Sequence, residues 1–169
     1  MLTILMLATF AQIRVSAQDD VTNEGKSDEQ TTEDMSTRQQ NARKLVGTWD
    51  SQVTIRNCQN GTAIRTFASI GTFMRGGTFL DSTSGTPQAL KTPGHGVWSH
   101  ISGRIYRFKF KAFTFDASGN PTGWTILSHE AHLNRQGDAY DSAGTLMVYA
   151  PNGNLIFTGC STSTATRFE

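Results

Sequence analysis

Within residues 44–169 the side chains that could do chemistry are four histidines, seven carboxylates and two cysteines, and their spacing limits what that chemistry can be. His129-Glu130-Ala131-His132 invites a metal reading. The His-Glu-x-x-His zinc motif holds its histidines four apart on one helix face. Here they are three apart in a segment of strand character, where alternation sends them to opposite faces. No metal is therefore expected, and these histidines are expected at the surface or rim. Asp81 with His95 or His100 could meet at the mouth of a closed sheet and do acid–base work on a bound molecule. Asp116 and Asp138 fall at turns, where a short carboxylate serves local hydrogen bonding. Cys58 and Cys160 lack the Cys-x-x-Cys spacing of a redox pair and read as structural.

Charge excludes one class of partner. The formal net charge is +1, with an acidic segment at 18–43 and a mildly basic remainder. Arg104, Arg107, Lys109 and Lys111 form the one basic cluster. On a strand, 107, 109 and 111 share one face while Tyr106, Phe108 and Phe110 share the other, which is the pattern of a half-buried strand with a solvated outer side. A nucleic-acid surface would need a denser patch with exposed aromatics between the charges, so no nucleic-acid partner is expected.

The first residues look like an export signal. Leu2 to Ile13 is an apolar run broken only by Thr3, Thr9 and Gln12, and Val15-Ser16-Ala17 supplies small residues at a cleavage position. Residues 1–17 are expected to be a signal peptide and the mature protein to be secreted or periplasmic. The run falls short of the roughly 20 residues a membrane-spanning helix needs, and no other stretch approaches that length, so no transmembrane helix is expected. Residues 18–43 contain one Val and one Met among polar and charged residues and read as a disordered acidic linker.

From residue 44 onward the chain consists of short strand-like segments separated by turn chemistry such as Asn60-Gly61, Gly76-Gly77, Ser102-Gly103, Gln136-Gly137 and Asn152-Gly153. Strands are expected over 45–57, 62–74, 77–84, 95–102, 104–116, 123–134, 138–150 and 154–168. The one long break, Gly85 to Gly94, holds Pro87 and Pro93 and is expected to be a lid or rim loop. Eight antiparallel strands joined mainly by hairpins can close as an up-and-down barrel or fold over as a sandwich.

Two residue pairs favour the barrel. Gly47-Thr48-Trp49 opens the strand region and Thr166-Arg167-Phe168 ends it. This resembles the lipocalin pattern, in which a Gly-x-Trp on the first strand lies under an Arg from the last and closes the barrel floor; the resemblance implies that Trp49 and Arg167 stack. The cysteines give an independent check. An exported chain with an even cysteine count is expected to oxidise them. An antiparallel register that opposes Cys58 to Cys160 differs by only two residues from one that opposes Trp49 to Arg167, so pairing of the first and last strands nearly satisfies both. Pro93-Gly94-His95-Gly96-Val97-Trp98 and the stretch from Thr158 to Glu169 also resemble a group of small exported bacterial proteins of lipocalin-like form, a likeness that supports the fold and implies no activity.

With Trp49 inside, Leu155, Phe157, Gly159, Ser161, Ser163 and Ala165 share the inward face of Arg167. Small residues in the middle of that face leave room in the lumen unless aromatics fill it. Tyr106, Phe108, Phe110, Trp124, Phe157, Ser161 and Ser163 are the expected lumen residues. The leading functional expectation is binding of a small apolar ligand in the lumen, without a cofactor. A barrel isomerase or cyclase acting on an apolar substrate and a filled structural or interaction barrel are the alternatives.

Overall fold

Alternating side chains and glycine-bearing turns produce a single closed sheet. The computed structural model describes residues 43–168 together with Thr37, Gln40 and Asn41. The expected signal peptide, and the linker apart from these few positions, lie outside the described residues. The strands are β1 (Gly47–Arg56), β2 (Ala63–Phe73), β3 (Thr78–Thr83), β4 (Gly94–Ser102), β5 (Ile105–Phe115), β6 (Pro121–Leu133), β7 (Ala139–Tyr149) and β8 (Leu155–Arg167). Each expected strand contains its observed counterpart except that β4 and β6 begin slightly earlier. Gln88–Leu90 forms one turn of 3-10 helix in the long β3–β4 connection.

Every strand pairs antiparallel with its sequence neighbour, and β1 pairs with β8, so the order β1 to β8 closes on itself as an up-and-down barrel. In the closing register Trp49 opposes Arg167 and Arg56 opposes Cys160. Cys58 lies just beyond β1 and reaches back to Cys160 in a disulfide with a Cα–Cα distance of 5.1 Å. The bond encloses 102 residues of chain and ties the closing seam at one end, a constraint typically worth about 2 to 4 kcal/mol.

Inward positions follow parity. Trp49, Ser51, Val53 and Ile55 point inward from β1, and Leu127, His129, Ala131 and Leu133 from β6. The hydrophobic core sits at one end, where Trp49, Phe73, Trp98, Tyr106, Leu133 and Tyr140 are buried together. Phe73 meets Trp98, Phe108 and Tyr140 edge-on at centroid distances of 5.8, 5.5 and 6.0 Å, the geometry the ring quadrupole favours. Arg167 seals this end. Its guanidinium carbon lies 4.3 Å from the centre of the Trp49 ring, and its nitrogens donate to the carbonyls of Lys44, Val46 and Gly137 at 2.8, 3.0 and 2.9 Å. Gly47, at φ 136°, passes so close to this guanidinium that a Cβ would collide with it.

The segment ahead of β1 completes the floor. Thr37, Gln40, Asn41 and Arg43 are helical, the Tyr106 hydroxyl donates to the Asn41 carbonyl at 2.6 Å, and the Trp49 indole N–H donates to the Leu45 carbonyl at 2.9 Å. Contact with the barrel thus begins a few residues before the boundary expected at 44.

Candidate functional site

Toward the other end the inward residues shrink and the barrel is hollow. A cavity of about 210 Å³ runs from Phe79, Phe108, His129 and Tyr140 in the interior to Arg65, Thr86 and Thr114 at the mouth. Its walls are mostly apolar, with Val53, Ile55, Phe67, Phe110, Leu127 and Leu146 contributing. Two glycines shape it. A Cβ at Gly94 would overlap the Phe110 ring, and one at Gly85 would stand 2.7 Å from the Phe67 ring, so each glycine lets an aromatic wall lie flat. The connection from Gly85 to Pro93 borders the mouth: Gly85, Thr86 and Lys91 line the cavity, and Lys91 bridges to Thr114 on β5.

Among the polar residues of the wall, three ionisable ones have displaced pKa values. Asp81 follows Phe79 at the same parity on β3 and is 8% exposed. The Ser69 hydroxyl donates to its Oδ1 at 2.6 Å, and Lys91 Nζ lies 3.7 Å from its Oδ2. Burial raises the Asp81 pKa above the ordinary carboxylate value, while Ser69 and Lys91 pull it down.

His129 is 3% exposed and hydrogen-bonded at both ring nitrogens, Nδ1 to Ser142 Oγ and Nε2 to Ser161 Oγ, each at 2.7 Å. Ser142 continues to Ser163 at 2.6 Å. Burial lowers the imidazole pKa to about 4, so His129 is neutral at neutral pH, with one ring nitrogen donating and the other accepting.

Tyr140 joins the floor to the cavity. Its ring meets Trp49 edge-on at 5.0 Å and its hydroxyl lies 3.4 Å from Ser51 Oγ. Burial pushes the phenol up to about 12; the Ser51 contact opposes the shift and the nearby Asp81 charge adds to it. Every buried side-chain nitrogen and oxygen among the described residues has a partner.

The expected lumen residues divide into several groups. Phe108, Phe110 and Ser163 line the cavity. Ser161 holds His129, and Tyr106 is buried in the floor. Trp124 lies on the outer face: Gly123, Thr125, Leu127 and His129 take the inward parity of β6, which turns Trp124 outward against Tyr149. Phe157 has inward parity but is 48% exposed above the cavity, because β8 outruns β1, whose pairing stops at Cys160.

The histidines and Asp81 also depart from expectation. His129 is interior rather than at the surface or rim, whereas His132 is exposed beside Glu130 at 3.3 Å. Asp81 meets neither His95 nor His100. His95 opposes Leu80 on the outer face, and His100 bonds the Gly103 carbonyl at 3.0 Å near the floor. The lumen placements of His129 and Asp81 were available from parity with Leu127 and Phe79; the pairing of Asp81 with Lys91 across the long connection had no local signal. Among the described residues no group of three or more His, Cys, Asp or Glu is placed to hold a metal.

No protein-family model matches the chain, and no curated protein matches it. Among solved structures the chain is similar to Rv2717c from M. tuberculosis, with 12% identity and a TM-score of 0.36 over 75% of this chain and 94% of that one.

Proposed function

We propose that the barrel binds a small, uncharged, mainly apolar molecule in its lumen. The observation that carries this reading is the open, apolar-walled cavity, in whose interior Asp81 is paired with Lys91 and His129 is neutral through burial, with Arg65 standing only at the mouth. A charge carried past the mouth into the interior would lose its hydration without finding a free counter-charge, at a cost of several kcal/mol, whereas an apolar guest gains roughly 25 cal/mol for each Å² it buries. The cavity is smaller than the roughly 300 to 1,000 Å³ of pockets for drug-sized ligands, so the guest is small. The Cys58–Cys160 bond supports placing the mature chain in an oxidising compartment, secreted or periplasmic. The stack of Arg167 on Trp49 supports kinship with lipocalin-like barrels.

Native mass spectrometry of the protein isolated from its source is the test. A small neutral adduct that is retained by the wild type and missing from Val53→Phe, which narrows the cavity, is the expected result. A bare protein mass throughout, even after exposure to a panel of apolar compounds, would sink the proposal.

A second reading, acid–base isomerisation, rests on Asp81 and His129 lining one cavity with pKa values displaced in opposite directions. Incubating the loaded barrel in D2O separates the two. Solvent deuterium on a carbon of the recovered molecule supports turnover; an unchanged isotope content supports carriage.

A further inference from the structure

The outer surface around the mouth carries a feature the cavity does not use. Phe113 on β5 opposes Trp124 on β6, which opposes Tyr149 on β7, so the three form a row across the outside of the barrel. Trp124 and Tyr149 stack with centroids 5.6 Å apart and planes 16° from parallel. Lys111 Nζ stands 4.1 Å from the Trp124 centroid and 5.0 Å from that of Phe113. Ile126 and Met147 extend the face by one pleat below, opposed to each other and to Lys111. Beside this row, at the start of β8, Leu155 and Ile156 are 55% and 62% exposed. Other exposed apolar residues, such as Val97 and Ile101, lie on β4 away from this row.

Charge is distributed to match. Among the described residues no carboxylate pairs with Lys109 or Lys111, and Arg56 and Arg65 add positive charge at the same end of the barrel. The acid of the nearby β5–β6 turn, Asp116, has both oxygens engaged by Ser118 and Asn120. The carboxylates of Asp50, Glu130, Asp138 and Asp141 belong to the floor half. Aromatic rings, two of them with polar tips, beside cations that have no carboxylate partner are the composition that seats a protein in a headgroup layer, where the rings occupy the boundary and lysine meets lipid phosphate.

We propose that the rim formed by Phe113, Trp124, Tyr149 and Lys111 docks on the surface of an anionic lipid bilayer, turning the mouth of the barrel toward the membrane. The proposal concerns the outer face and stands whether or not the lumen holds a ligand.

Flotation with vesicles of phosphatidylcholine alone and of phosphatidylcholine mixed with phosphatidylglycerol tests it. The protein is expected to float with the mixed vesicles and to do so less at raised salt. Lys111→Gln should weaken that binding about fivefold, the effect of about one lysine at an anionic surface. Phe113→Ser should weaken it about tenfold. Arg107→Gln, on the same strand but already paired with Glu130 at 3.5 Å, should leave it unchanged. Trp49 and Trp98 are buried, so a blue shift of tryptophan emission on vesicle addition reports Trp124, and thermal midpoints of the variants confirm that they are folded. Absence of flotation with either vesicle overturns the proposal, as does binding that Lys111→Gln and Phe113→Ser leave intact. A dimer in sedimentation equilibrium that Phe113→Ser dissolves would assign the face to a second copy of the chain and overturn it equally.

Discussion

The two ends of the barrel are built from the same strands and the same alternation, and they differ in the size of what points inward. At the floor Trp49, Phe73, Trp98, Tyr106 and Tyr140 interdigitate, and Arg167 closes them from below. Toward the mouth Phe67, Phe110, Leu127 and Leu146 lie along the wall, and Ser51, Val53, Ser69, Thr83, Thr125 and Ser163 between them leave the axis empty. An eight-stranded barrel is just wide enough for side chains to fill it, so side-chain volume alone decides which half is core and which is container. Aromatic packing is concentrated at the floor, the mouth half is tied instead by the Cys58–Cys160 bond, and it is free to hold polar groups that a packed core would exclude.

Trp49→Ala is the strongest way to break this contrast. It removes a fully buried ring, the edge contact to Tyr140 and the surface on which Arg167 stacks, and should cost about 3 to 5 kcal/mol. Urea denaturation of the full chain measures it. A loss below about 1 kcal/mol would mean that the floor is not where stability resides.

Acid sharpens the contrast at the cavity. His129 has its pKa lowered from 6.5 to about 4, so the unfolded chain takes up a proton that the folded chain refuses. Its contribution is fully present above pH 6.5 and is lost as pH falls toward 4, a change on the order of 3 kcal/mol. The raised pKa of Asp81 acts in the opposite sense, favouring the fold as its carboxyl takes up a proton, and trims the fall. His129→Gln keeps a hydrogen-bonding side chain between Ser142 and Ser161 and should flatten the stability profile between pH 7 and 5, read from urea midpoints. A slope equal to that of the wild type would place the acid sensitivity elsewhere.

The floor was far more legible in the sequence than the cavity, for a physical reason. Trp49 with Arg167 and Cys58 with Cys160 lie at the two ends of the strand region, and the antiparallel registers they require differ by only two residues, so each pair checks the other. The cavity is assembled from all strands at once. Trp124 looked like a lumen residue by type, but on β6 its neighbours Thr125 and Leu127 take the inward positions, and a strand cannot point consecutive residues the same way. Phe157 failed differently: its parity is inward, but how far β8 extends beyond β1 depends on the shear of the closed sheet, which no single strand encodes. His129 was legible by parity with Leu127 but looked unsuited to an interior, because its hydroxyl partners come from β7 and β8.

The smallest effect is expected where the container wall is thinnest. Leu146 is only half-buried and faces the cavity, so Leu146→Ala removes methyl groups that already border open space rather than creating a sealed void. The cavity penalty that makes leucine truncations cost about 2 to 5 kcal/mol in a packed core is then absent, and the lost transfer energy is partial, leaving about 1 kcal/mol. The same change should enlarge the lumen and shift the preferred guest toward a bulkier one, measured as relative affinity for two apolar probes differing by a methyl group. A destabilisation as large as that of Trp49→Ala would show the mouth half to be packed as tightly as the floor, and the division between core and container would fail.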